Sequence, residues 1–256
     1  IVEDVLITYE TKGVGTIRAV GRAGRSAIAT RARRVNGLIA PGYIDMHLHG
    51  AGGHDVFGAG GAESLLVATR GGRSPEREIV ASLRALAATT AQHGYAAIVP
   101  ATVSLPIPSL RLWMRAVATA REEQRADAQR GRARGEALIL GAHIEGPAIT
   151  PARAGAHDLS TLVTASALLA ALRERPEDWS ALRIATHAPE LEGADALIDY
   201  LVARKIVSSV GHTAASFERA TAAWDRGARS TTHLCNGMDP FHHRTPGVVG
   251  AALSHP

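Results

Sequence analysis

Ala40-Pro41-Gly42-Tyr43-Ile44-Asp45-Met46-His47-Leu48-His49-Gly50 is the stretch on which the reading of the whole chain turns. It has the form of a single strand. Side chains along a strand alternate between two faces. Asp45, His47 and His49 therefore share one face, and Ile44, Met46 and Leu48 share the other. One face is all carboxylate and imidazole, the other all apolar. That division suits an inner barrel strand, with ligand types inward and an apolar face packed beneath helices. Pro41-Gly42 punctuates the start, and Gly50, Gly52 and Gly53 allow a tight exit beside a ligand.

The chain has 256 residues, 46% of them hydrophobic and 20% charged, enough for one large α/β core. No apolar run approaches the ~20 residues of a membrane span, so no membrane partner is expected. No cleavable leader is expected from the opening residues. A lone cysteine, Cys235, excludes an internal disulfide framework and suits a cytoplasmic setting. The net charge is +4, and of 28 Lys and Arg residues only Lys12 and Lys205 are lysine. Aromatics make up only 4%, so the arginines lack the stacking partners of a nucleic-acid surface. The densest arginine run, Arg121 to Arg134, reads as a solvated helix end.

Residues 1–39 hold short β-rich pieces at 5–9, 16–20 and 27–30, broken by glycines, and read as a partial β-sandwich domain. From residue 40 to 256 strand and helix alternate. Ser74-Pro75-Glu76 resembles a helix start, and Ile79, Val80, Leu83, Leu86 and Thr90 follow at helical spacing up to Gly94. Further helices are expected from Ser109 to about Arg130, at Leu168–Leu172, at Leu197–Val202 and at Phe217–Trp224. Strands open near residues 43, 95, 137, 182, 206 and 228, six in all. Repeated βα units imply a parallel sheet, either open and doubly wound or part of a (β/α)8 barrel. The open sheet predicts a glycine-rich phosphate turn after its first strand. Metal-ligand types stand there instead, and such types recur at several strand ends, as in a TIM-type barrel. The reading is therefore a barrel incomplete in this chain, two strands short of closure.

His47 and His49, Glu145, His212 and His233 lie at four strand ends. A catalytic Zn site takes about three N or O donors and keeps one position open. Lys12 and Lys205 are both misplaced for a bridging carboxylated lysine, which leaves Glu145 as the bridging anion. The segments APGYIDMHLHG, HIEGP, VGHTAAS and THLCNGMDPFHHRTPGVVGAAL resemble the N-acetylglucosamine-6-phosphate deacetylases of the amidohydrolase superfamily. The likeness runs from about residue 40 to the end. It implies that Glu145, His212 and His233 are the principal metal ligands, with His47 and His49 holding a second ion in some members. It also implies that Ala156 and His157 contact the sugar and acetamide, and that Asn236, Gly237 and Arg244 serve the phosphate end. Gly237 stands where alanine is usual. The family's catalytic aspartate and a phosphate ligand from a neighbouring subunit are expected beyond Pro256. A homodimer is expected for the full-length protein.

The residue chemistry agrees independently. An acetamide resists hydrolysis unless its carbonyl is polarised and water is made acidic, which a divalent ion does. A carboxylate must then carry the proton to the leaving amine. His and Glu donors favour Zn, with Fe, Co or Mn compatible, as one ion or two. The fork of Arg244 suits a phosphate. The expected activity is removal of acetate from N-acetylglucosamine 6-phosphate. The competing readings are a non-catalytic metal-binding fragment and a dihydroorotase- or hydantoinase-like cyclic amidohydrolase. His143 is read as a supporting or packing residue, and His187 is given no ligand role. Cys235 is read as a small packing residue, and Phe217 with Trp224 as core.

Overall fold

The computed structural model describes residues 5–9, 17–22, 40–71, 74–132 and 134–256. It divides into two compact units, Ile1–Pro41 and Gly42–Pro256. In the first, β1 (Val5–Tyr9) pairs antiparallel with β2 (Ile17–Arg22), with Ile7 opposite Val20. The strand expected at 27–30 lies outside the described residues.

The second unit opens with β3 (Tyr43–Leu48) and a small hairpin of β4 (Gly50–Ala51) and β5 (His54–Asp55). There follow α1 (Gly61–Arg70), α2 (Glu76–Gln92), β6 (Tyr95–Pro100), α3 (Ile107–Gln129), β7 (Leu138–Ile139) and β8 (Ala142–Glu145). Then come α4 (Ala165–Glu174), β9 (Leu182–His187), α5 (Ala194–Ala203) and β10 (Val207–Val210). The chain finishes with α6 (Phe217–Asp225), β11 (Ser230–Thr231) and α7 (Gly247–Ser254).

Apart from β4 and β5, the strands of this unit pair only in parallel, in the orders β3-β6-β7 and β8-β9-β10-β11. A bridge between Ala101 and His143 joins the two groups, and the Thr102 N–H donates to the His143 carbonyl at 3.0 Å. Spatial order thus follows chain order, without the reversal that a doubly wound sheet needs. The strand expected over 137–145 is interrupted at Leu140-Gly141. A Cβ on Gly141 would stand 2.5 Å from the Ala181 carbonyl oxygen, so the chain passes too close there for any other residue.

Helix periodicity translates directly into packing. In α2, Ile79, Leu83, Leu86 and Ala87 are fully buried; in α3, Leu110, Trp113, Met114 and Val117 are. The Trp113 indole N–H donates to the Val56 carbonyl at 2.8 Å, which satisfies its polar edge inside the core. A second cluster joins Val210, Ala220, Ala223, Trp224, Val248 and Val249 behind β10. Thr164 and Ser216 cap α4 and α6, accepting from the N–H groups of Ala167 and Arg219. Ser74 does not cap α2: Pro75 occupies the cap position, with no side-chain bond.

Three further expectations need correction. Ile44 and Met46 are each 58% exposed: among the described residues nothing packs closely over this part of the apolar face of β3, which is also an edge strand there. Cys235 is exposed, carried outward by a turn in which its φ is +79°. The strand expected over 228–236 is cut to two residues by the same turn. Helices α1 and α7 went unpredicted. Leu83→Ala should cost about 2–5 kcal/mol in a denaturant titration, since a sealed core leaves a cavity. Leu253→Ala, at a site 72% exposed, should stay within about 0.5 kcal/mol in the same assay.

Candidate metal centre

Glu145 ends β8 with its side chain 3% exposed. The Thr102 hydroxyl oxygen accepts its N–H at 3.2 Å, which fixes the strand end. Its two oxygens look in different directions. Oε1 lies 3.1 Å from His212 Nε2 and 2.9 Å from His233 Nε2. Oε2 lies 3.3 Å from His49 Nε2 and 3.6 Å from His47 Nε2. The donor atoms of His47, His49 and Glu145 fall within 4.8 Å of one another, as do those of Glu145, His212 and His233. All five expected ligand residues are therefore brought together, at the C-terminal ends of parallel strands.

The hydrogen bonds around these rings fix their protons. A carbonyl can only accept, so His212 Nδ1–H donates to the Arg153 carbonyl at 2.8 Å and His233 Nδ1–H to that of Asn236 at 3.0 Å. His49 Nδ1–H donates likewise to Ala101, at 3.1 Å. In its neutral form each ring carries only that one proton, and all three Nε2 atoms then present bare lone pairs. Those of His212 and His233 stand 3.0 Å apart against a carboxylate oxygen. Converging lone pairs with no proton between them need a cation, and backbone-aimed imidazoles are the usual support of a metal ligand. The donor set fits a divalent ion with N and O preference.

His47 differs. Its Nδ1 lies 3.3 Å from His143 Nδ1 and has no carbonyl of its own. His143 is buried beneath the site and bonds the Met46 carbonyl at 3.0 Å, with Thr186 Oγ1 on its other nitrogen at 2.6 Å. Thr186 meets Thr232 at 2.6 Å, and Thr232 meets Ser209 at 2.7 Å. A polar floor thus crosses from β3 to β11. His143 thus lies in the support beneath the site, one of the two roles expected for it. The threonines and serine gave no signal in the sequence.

His157 is buried too, at 8% exposure. Its Nδ1 accepts the Ser104 backbone N–H at 2.8 Å, so the proton of the neutral ring sits on Nε2. That nitrogen lies 3.6 Å from Glu145 Oε2, which makes His157 a fixed donor aimed at the centre and not a ligand. Ala156, Asn236 and Arg244 are exposed, on the loops after β8 and β11. The Arg244 backbone N–H meets His242 Nδ1 at 3.2 Å. Gly237 has φ +60°, and a Cβ there would press on His212 Nδ1 at 3.1 Å and His233 Cε1 at 3.2 Å. Glycine is therefore the relaxed choice, where alanine would crowd both rings.

Electrostatics follow from burial and proximity. In the ion-free protein a proton on Nε2 can take the cation's place: burial raises the Glu145 carboxyl, but the bonds it then accepts from the facing imidazoles of His212, His233 and His49 overcome this and hold it far below the usual carboxylate range. Bonding to Glu145 raises His49 and His233, while burial lowers His47. Burial pushes His143, His157 and His187 down to about 4. His187 lies apart from the centre, bonded to Ser208 Oγ at 2.7 Å.

Two opposite pH effects result in the ion-free protein. The raised groups add stability that is fully present below 6.5 and is lost as pH rises through their folded values. The lowered groups stay neutral when folded yet take up protons when unfolded, so their contribution fades as pH falls from 6.5 toward 4. His187→Gln should flatten the fall of stability between pH 6.5 and 4 by up to about 1.4 kcal/mol per pH unit, the worth of one proton. Denaturant titrations across that range measure it. An unaltered slope would mean that the ring is not held neutral.

No family model matches the chain. It is 33% identical over 228 residues to N-acetylgalactosamine-6-phosphate deacetylase of Escherichia coli O157:H7, covering 85% of this chain and 50% of the relative. It is 32% identical over 218 residues to N-acetylglucosamine-6-phosphate deacetylase of Bacillus subtilis strain 168, covering 85% and 48%. The corresponding enzyme of Danio rerio is 35% identical over 227 residues, covering 86% and 48%. Among solved structures, N-acetyl-D-glucosamine-6-phosphate deacetylase of Mycobacterium smegmatis aligns with a TM-score of 0.63 at 29% identity, covering 92% of this chain and 53% of that one. The Thermotoga maritima enzyme aligns with a TM-score of 0.68 at 25% identity, covering 97% and 55%. The chain spans about half the length of the curated relatives it matches. Over that matched half it is similar to the N-acetylglucosamine-6-phosphate deacetylases.

Proposed function

We propose that the protein is a metal-dependent amide hydrolase that releases acetate from an N-acetylated amino-sugar 6-phosphate, N-acetylglucosamine 6-phosphate first among them. The observation that carries the reading is the set of bare imidazole nitrogens converging on the buried Glu145 carboxylate. Its second support is the activity named for the relatives, which the chain resembles over about 85% of its length. Glu145, His212 and His233 would hold the principal ion, and His47 and His49, together with Glu145, a second. Zinc is the favoured ion, with Fe, Co or Mn compatible. A divalent ion supplies polarisation of the amide carbonyl and makes water acidic enough to attack near neutral pH.

The protein's own groups do the rest. His157 Nε2–H, locked in that tautomer by the Ser104 N–H, donates to the amide oxygen as charge develops there. Ala156 offers backbone contact to the sugar. Asn236 and Gly237 offer backbone and amide contacts at the phosphate end, and Arg244 a bidentate fork for the phosphate itself. Attack of water breaks the C–N bond and gives acetate and the free amine, which needs a carboxylate to pass the proton across. The resemblance assigns that step to an aspartate after Pro256. The parallel strands in chain order support a (β/α)8 barrel. The antiparallel pair β1–β2 supports a small β-sandwich for residues 1–39. A homodimer in the cytoplasm completes the proposal.

Acetate release from N-acetylglucosamine 6-phosphate by the full-length gene product, with metal analysis alongside, tests it. Glu145→Gln and His212→Ala should each strip the principal ion and abolish turnover. His157→Gln should keep the ion and lower kcat about 100-fold. Full metal content in Glu145→Gln, or undiminished kcat in His157→Gln, would overturn the assignment.

A further inference from the structure

We infer that Arg153 and Asp239 form a positioning pair that sets how tightly the centre retains its ion, although neither touches it. The inference rests on the metal-centre reading above. His212 is aimed by the carbonyl of Arg153, and His233 by the carbonyl of Asn236. Those two carbonyls belong to separate loops, one following β8 and the other following β11. The same Arg153 that lends its carbonyl also sends its side chain across to the second loop. Its Nε–H donates to Asp239 Oδ1 at 2.8 Å, and its NH2 group donates to the same oxygen.

Backbone bonds already tie each loop to the His212 turn. The Thr150 N–H donates to the His212 carbonyl at 3.0 Å, and the Thr213 N–H to the Gly237 carbonyl at 3.0 Å. His212 thus lies between the loops, in the left-handed region at φ +48°, a conformation that a non-glycine residue holds only when its surroundings impose it. The backbone bonds fix each loop against the turn, and the Arg153–Asp239 pair alone, among the described side-chain bonds of these two residues, fixes one loop against the other. With it, the two aiming carbonyls move as one body. Without it, the Arg153 carbonyl can drift while the Asn236 carbonyl stays, and the two Nε2 lone pairs lose their common focus.

Removing an outer partner of a metal-binding imidazole typically costs 10–100-fold in affinity. Here the imidazole's direct acceptor is retained and only its anchor is lost, so the effect is smaller. Co2+ serves as probe, through its visible absorption and its release to a chelator. Arg153→Ala and Asp239→Asn should each release Co2+ about 3- to 10-fold faster than the parent and alter the band shape. The double variant should be no faster than the quicker single, since both remove one interaction. Melting of the ion-free variants separates this from general damage. If Arg153→Ala melts well below the parent, Asp239→Asn, which keeps the volume of the side chain, becomes the deciding variant. Release rates equal to the parent in a folded variant, or additive effects in the double, would overturn the inference. A parent protein that retains no Co2+ at all would instead sink the metal-centre reading, and the pair with it.

Discussion

A carboxylate buried to 3% exposure must be compensated, and nearly everything about this molecule follows from how that is done for Glu145. An isolated buried anion is costly enough that a protein normally neutralises it by protonation or by pairing. Here the pairing comes from imidazoles supplied by β3, by the loop after β8, and by the turns after β10 and β11. No two of those segments are neighbours by virtue of local sequence alone. They meet because parallel strands in chain order bring their C-terminal ends to one rim. The hydrophobic layer of α2 to α5 outside the strands is what holds that rim in register.

The rim is then shaped by strain and by backbone acceptors. His212 and His233 both adopt positive φ, at +48° and +33°, immediately after their strands. Such conformations cost on the order of 1–3 kcal/mol and persist only where bonds over-determine them. Carbonyls of Arg153 and Asn236 supply that determination through the two Nδ1–H groups. The result is a set of rings whose free nitrogens converge instead of being satisfied, which is a poor way to build a core and a good way to build a cation site. His157 shows the complementary case. A backbone donor on its Nδ1 turns the other nitrogen into a donor, so two histidines with rings 4.5 Å apart take opposite roles.

Much of this was legible beforehand. Period-two alternation at His47 and His49, and the separation of Glu145, His212 and His233 onto three strand ends, named the groups now found against the carboxylate except His157, to which only the family resemblance pointed, and gave no sign of the polar floor. Helices α2 to α6 were readable from apolar spacing, because buried Leu, Ile and Trp must recur once per turn. Helix α1 was not, because Gly60 and Gly61 at its start hide the signal, and α7 was not, because Gly-Val-Val-Gly-Ala-Ala reads equally as a strand. The apolar face of Ile44 and Met46 misled for a different reason: a sequence records that a side chain is apolar, not whether a neighbour covers it.

The sequence by itself determined which chemical groups are available and in what rhythm they rise from each strand, because alternation and helical period are local properties of the chain. Only the tertiary structure decided which nitrogen of each imidazole is bare, that Cys235 turns outward, and that Arg153 reaches Asp239. For His49, His157, His212 and Arg153 the deciding partners lie 52 to 86 residues away, brought close by the packing of whole elements and written in no single stretch; His233 alone of these rings finds its acceptor, Asn236, within its own turn.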